Sequence, residues 1–277
     1  MRLATLATDG GPRAAVLRED GAALVSEFPD VGALLRAGEA GLAAARRASG
    51  DGDARAFDEA ALLRPVLAPG AVVCVGLNYR THILEMGREL PQHPTLFSKL
   101  ARALTDPYAD IELPATSRKF DYEAELAIVI GKPGRRVPRE RAWDHVAGLT
   151  VLNDITARDF QRRTIQWFAG KTFQASTPVG PWIVTPDELG DLDGREIVLT
   201  VNGEERQRAS LGDLVFDVPA LVADLSSIVE LQPGDVIATG TPGGVGEAAE
   251  RFLRAGDVVE ATIDGIGTIR NAFRAAG

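Results

Sequence analysis

From Ala71 onward, short apolar runs recur: "AVVCVGL", "AELAIVIG", "HVAGLTVLN", "EIVLTVNG", "DVIATG" and "VVEATIDGIG". Turn residues separate them, and each reads as a strand. Helical patterns are few, at about 155–166 and 217–230, the second opened by Asp217 and Pro219. Strands and helices do not alternate strictly, which argues against a doubly wound parallel sheet. The expectation is an α+β, β-rich mixed fold. The pair "LQPGDVI" and "LRAGDVV" reads as two similar turn-to-strand entries rather than as a repeat architecture.

The first 68 residues have a different texture. "RLATLAT", "RAAVL" and "AALV" are strand-like and separated by Asp-Gly turns, a hairpin signal. Residues 30–48 read as one helix with Asp30 as N-cap, broken by "SGDGD" at 49–53. "RPVLAPG" at 64–70 reads as a linker. The expected organisation is a small N-terminal α/β domain, 1–68, followed by a larger domain, 69–277.

Composition narrows the function classes. A net charge of −9 argues against a nucleic-acid partner, which needs a basic face. No stretch approaches the ~18 apolar residues of a membrane span, and the N-terminus has no signal-peptide pattern. The single cysteine, Cys74, cannot form an intrachain disulfide and is read as a buried, inert thiol. A cytoplasmic protein is the expectation.

Residues 119–132, "KFDYEAELAIVIGK", place acids at the mouth of an apolar strand. By period-two alternation, Asp121, Glu123 and Glu125 share a face with Ala127 and Val129. Acids crowded in one partly buried place repel unless a cation neutralises them. Oxygen-only ligands suit Mg²⁺, Mn²⁺ or Ca²⁺. A solvated strand end is the equal alternative. Further on, "NDITARDFQ" sets Asp154 at a strand-to-helix turn, as a helix N-cap or a third carboxylate ligand. Arg158 and Gln161 would follow on the same helical face. Arg158 alone would be an ordinary surface ion pair.

His82 and Glu85 lie three apart in "NYRTHILEMG", close enough to meet on one helical turn. A carboxylate beside an imidazole raises its basicity, which suits proton abstraction, although such pairs are common on surfaces. Lys171, in "QWFAGKTF", is either a surface lysine or a cation aimed at an anionic substrate. "ATGTPGGVG" leaves a strand as a Gly-rich loop able to offer backbone N–H groups, and it is not a P-loop.

Taken in order, "VGLNYRTHILEMG", "FSKL", "FDYEAELAIVIG", "NDITARDFQ", "QWFAGKTF", "TPVGPW" and "ATGTPGGVG" resemble the fumarylacetoacetate hydrolase family. The resemblance implies a β-roll built from long strands, usually a homodimer, behind a variable leading domain. It implies Glu123, Glu125 and Asp154 as ligands of Mg²⁺ or Mn²⁺, with Ca²⁺ as a possible occupant. It implies a His82–Glu85 dyad, Lys171 as a catalytic and substrate-binding cation, and substrate contacts from Arg158, Gln161, Gly240 and Thr241. Small anionic keto acids are the implied substrates. The expected reaction is metal-dependent hydrolysis of a C–C bond in a 2,4-dioxo acid such as fumarylpyruvate, with an enolate stabilised by the metal. Oxaloacetate-type decarboxylation and 2-hydroxymuconate-type isomerisation are alternatives on the same site, as is a non-catalytic relative that binds metal or a small acid. Two positions depart from the pattern: Ile83 and Leu84 stand where small residues are usual, and Gln174 where Asp is frequent. Asp121 has no ligand counterpart and is expected to serve as a hydrogen-bonding or strand-entry residue.

Overall fold

A computed structural model of the chain describes residues 1–25, 27–51 and 53–277. The fold is strand-rich and mixed. The apolar runs become the strands Val72–Gly76, Ala124–Ile130, Val146–Asn153, Glu196–Val201, Val236–Ala238 and Val258–Ile263. Among the described residues they fall into two main sheets, one of 12 strands and one of five.

At the centre of the large sheet, Ala124–Ile130 pairs antiparallel with Val146–Asn153 on one side and Val236–Ala238 on the other. Val236–Ala238 then runs parallel to Val72–Gly76. Every residue of Ala124–Ile130 is buried, the pattern of a strand covered on both faces. Leu126, Ile128 and Ile130 join Ile197, Leu199, Ile263 and Ile269 of the five-stranded sheet in the main core. Ala127 packs with Cys74, Leu104 and Leu152 on the opposite face. Cys74 is fully buried as a free thiol.

The large sheet is continuous across residue 68. Arg2–Leu6 pairs with Thr177–Val184 on one edge and with Arg13–Arg18 on the other. Leu3, Val16, Val31 and Leu34 share a core cluster with Val129 and Ile183.

Two helices differ from the sequence expectation. Residues 30–48 do not form one helix but two, Val31–Arg36 and Glu39–Asp51. Asp30 caps the first by accepting the Ala33 N–H at 2.7 Å. The break comes at Gly38, whose φ of +59° ends the helical path. Gly41 then lets the second helix cross the first, because a Cβ there would lie 2.0 Å from the Leu34 carbonyl oxygen. The second helix also runs past 49 to Asp51, so only Gly52 of the expected break lies outside the described residues. The helix expected over 155–166 shrinks to Arg158–Gln161. Thr156–Ala157 is drawn into a short antiparallel pairing with Phe120–Asp121, and the β-branched Ile155 and Thr156 favour that extended path. Asp154 is therefore no N-cap: the cap position is Ala157, with no side-chain capping bond. The helix Val218–Ile228 matches its signals, with Asp217 accepting the Ala220 N–H and Pro219 in the first turn.

Candidate metal centre

The acids meet because of strand register. Ala124 lies opposite Asn153, so the residues just outside that pair, Glu123 and Asp154, come together at the same sheet end. Two hydrogen bonds fasten the junction: the Asp154 N–H donates to the Glu123 carbonyl at 2.8 Å, and the Glu123 N–H to Asn153 Oδ1 at 2.9 Å. Glu123, Glu125 and Asp154 each offer an oxygen, and these oxygens all lie within 4.8 Å of one another. All three side chains are buried.

Buried cations surround them. Lys171 Nζ donates to Glu123 Oε2 and, at 2.8 Å, to Asp154 Oδ2. Lys99 Nζ reaches Asp154 Oδ1, with both side chains fully buried. Arg158 bridges Asp121 Oδ2 at 2.8 Å and Glu123 Oε1 at 2.6 Å, and also donates to Gln161 Oε1 at 3.0 Å. Burial pulls the Lys171 ammonium down, but Asp154 and Glu123 outweigh it and hold its pKa above the ordinary value. Burial pushes the Asp154 carboxyl up, yet Lys171 and Lys99 keep it below the usual carboxylate range.

Glu125 is the exception. Among the described residues it has no ion pair; its Oε2 accepts only the Gly240 N–H, at 2.7 Å. Burial, with Asp154 and Glu123 nearby, pushes its carboxyl well above the ordinary value. Three converging carboxylates with one left uncompensated fit a hard divalent cation, whose charge would settle that deficit. These three residues are the ones that could hold Mg²⁺ or Mn²⁺.

The triad opens into a cleft of about 740 Å³. Glu123, Glu125, Arg158, Gln161, Lys171 and Thr241 line it, and His82 reaches the same space. Trp167 closes one wall against the strand Val72–Gly76, which needs glycine at 76: a Cβ there would lie 2.4 Å from the indole. Gly240, with φ of +98°, is fixed by its contact with Glu125, whereas Thr241 Oγ1 accepts a hydrogen bond from Gln207 Nε2 at 2.9 Å.

His82 and Glu85 share the short helix Arg80–Glu85. No hydrogen bond or ion pair joins them among the described residues, and Glu85 faces a neighbouring cavity of about 490 Å³ that His82 also lines. The expected rise in imidazole basicity is reversed: burial lowers the His82 pKa, and the opposing pull of Glu85 is smaller. Glu85 is exposed to water, which weakens its field.

Asp121 is a hydrogen-bonding hub. It accepts the Gly246 N–H at 2.7 Å and the Glu247 N–H at 2.9 Å besides the Arg158 guanidinium. Two residues escaped the sequence reading. Lys99 sat unassigned in "FSKL"; a lysine closing a strand without a nearby acid in sequence gives little signal. Gln207 is buried between the acidic strand and the Gly-rich loop. It accepts the Ala124 N–H at 2.9 Å and donates to the Pro242 carbonyl at 3.0 Å. Its strand, "EERQRAS", reads as a polar surface run.

The family model for the fumarylacetoacetate (FAA) hydrolase C-terminal domain matches residues 71–274. The chain belongs to this family. Oxaloacetate tautomerase YisK of Bacillus subtilis (strain 168) is 43% identical over 222 residues, 78% of this chain and 73% of that protein. The solved structure of a fumarylacetoacetate hydrolase from psychrophilic Exiguobacterium antarcticum is similar over 100% of both chains, with a TM-score of 0.86 and 34% identity. Maleylpyruvate hydrolase from Sphingobium sp. SYK-6, solved with manganese(II) and pyruvate, is likewise similar over 100% of both chains, with a TM-score of 0.83 and 33% identity. Members of the family thus include tautomerases and hydrolases, and one of these neighbours holds manganese.

Proposed function

We propose that this chain interconverts the keto and enol forms of a 2-oxo acid of the oxaloacetate class, with Mg²⁺ or Mn²⁺ held by Glu123, Glu125 and Asp154. The observation that carries this reading is the uncompensated Glu125 carboxylate inside the triad, facing a cleft that the His82 imidazole also reaches. The similarity to a protein named oxaloacetate tautomerase supports the choice of reaction.

Keto–enol exchange needs no co-reactant. The C3–H bond breaks, its electron pair forms the C2–C3 double bond, and the carbonyl oxygen gains a proton. A bound divalent ion supplies Lewis acidity toward the 2-oxo oxygen and so makes the C3 proton more acidic. His82, kept neutral at physiological pH by its lowered pKa, accepts the C3 proton at a ring nitrogen and returns it in the reverse direction. Lys171, buried and fixed by two carboxylates, adds positive potential where oxygen charge develops. Gln161 lines the cleft with its carbonyl oxygen already turned to Arg158, which leaves the amide N–H₂ to orient a substrate carboxylate.

Hydrolysis of a 2,4-dioxo acid is the second reading. It is favoured by His82 and Glu85 lying on one helical turn and by the similarity to maleylpyruvate hydrolase. The test is to give the metal-loaded protein oxaloacetate and fumarylpyruvate separately. The proposal expects faster enol–keto exchange of oxaloacetate with no pyruvate released. Pyruvate from fumarylpyruvate, with oxaloacetate exchange at the uncatalysed rate, would overturn it in favour of hydrolysis; pyruvate and CO₂ from oxaloacetate would favour decarboxylation.

A further inference from the structure

The cations of the cleft differ in whether they are already satisfied. Arg158 is taken up by Asp121, Glu123 and Gln161. Lys171 is held by Glu123 and Asp154. Arg162, on the outer rim, makes a bidentate pair with Glu247 at 2.7 Å on each arm. Arg88 also lines the cleft, where it is exposed to water, and among the described residues its guanidinium has no carboxylate partner and no hydrogen bond. It follows Gly87, whose φ of +67° turns the chain after the helix that carries His82. Its charge reaches His82, contributing to the lowered imidazole pKa.

The cleft's volume is of the size that takes a drug-sized ligand. A four-carbon acid seated at the triad leaves most of it open. A longer acid would cross from the triad toward either rim. At the Arg162 rim its far end meets Glu247, a carboxylate. At the Arg88 side it meets a water-exposed guanidinium with no carboxylate partner among the described residues, the side chain best shaped to grip a carboxylate through two parallel N–H donors.

We propose that Arg88 is the specificity-determining residue of this cleft and selects 2-oxo acids that carry a second, distal carboxylate. The proposal rests on the reading of the cleft as a 2-oxo acid site and extends it to the far end of the substrate. Arg88 touches that end only, so its contact governs binding, while the proton at C3 moves to His82.

Binding tests this without turnover. Calorimetry on the full chain with Mn²⁺ compares 2-oxoadipate with 2-oxohexanoate, acids of equal length that differ in the distal carboxylate. The wild type is expected to bind 2-oxoadipate at least about tenfold more tightly, the scale of one charge-assisted hydrogen bond. Arg88→Gln should bring the two within about twofold, leave 2-oxohexanoate affinity unchanged, and keep the wild-type melting temperature; Arg88→Lys should restore part of the preference. Equal binding by the wild type, or a preference that survives Arg88→Gln, overturns the proposal. Absence of binding by both acids overturns the proposal, and absence of binding by oxaloacetate as well overturns the 2-oxo acid reading with it. A preference that depends on Arg88 in a protein with no keto–enol activity overturns only the tautomerase reading.

Discussion

Replacing Glu125 by glutamine should change stability in opposite directions with and without metal. Around the triad, four carboxylates, Asp121, Glu123, Glu125 and Asp154, meet three buried cations, Lys99, Arg158 and Lys171. Glu125 carries the surplus charge. Glu125→Gln removes it and keeps an oxygen to accept the Gly240 N–H. The size of the gain has a ceiling. A carboxyl whose folded pKa is raised costs nothing below its unfolded value of 4.5 and costs more as pH climbs. At about 1.4 kcal/mol per pH unit, the cost at pH 7 cannot exceed about 3.5 kcal/mol, because beyond that the group takes up a proton instead. In EDTA at pH 7 the variant should therefore gain up to about 3.5 kcal/mol, or roughly 5–10 °C in Tm for a chain of this length. The gain should fade as pH approaches 4.5. With Mn²⁺ the order reverses, since only the wild type has all three ligands and is stabilised by binding. Thermal melts followed by circular dichroism read both effects. A variant that melts below the wild type in EDTA at pH 7, or that keeps the full Mn²⁺ shift, would refute the assignment of Glu125 as an uncompensated ligand.

Three further outcomes can be measured. Lys99→Met leaves Asp154 buried with Lys171 as its remaining cation; urea unfolding should show a loss of roughly 3–5 kcal/mol, and an unchanged midpoint would contradict the buried pair. The neutral form of His82 is the working base and burial lowers its pKa from the ordinary 6.5, so kcat/KM should rise with pH along an acidic limb whose midpoint lies below about 6.5; an acidic limb centred above that value would argue for another base. Arg158→Lys cannot span Asp121 and Glu123 as the planar guanidinium does, so Mn²⁺ affinity should fall roughly tenfold with the fold intact, as calorimetry beside a melting curve would show.

Much of the strand framework was legible because burial on both faces writes itself as continuous apolar runs, as in Ala124–Ile130. The site was legible in part. Period-two alternation grouped Asp121, Glu123 and Glu125, but the reason Asp154 joins them is the Ala124–Asn153 register, a long-range pairing that no local pattern encodes. The same pairing logic misled the helix reading: Asp154 and Arg158 looked like neighbours on a helix, whereas Thr156–Ala157 between them is strand, paired with Phe120–Asp121. Gly38 lay inside the pattern of a single helix, and its left-handed conformation was needed to see two. Lys99 and Gln207 were invisible because their partners lie 55 and 83 residues away. The basicity of His82 was misjudged because sequence supplies the neighbouring carboxylate but not the burial that outweighs it.

The most direct measurement is a calorimetric titration of the metal-free chain with Mn²⁺ at neutral pH, beside the same titration of Glu123→Ala and Asp154→Ala. A metal centre built from Glu123, Glu125 and Asp154 predicts saturable binding by the wild type and loss of that binding in both variants. Wild-type affinity in either variant, or no binding by the wild type, would contradict it.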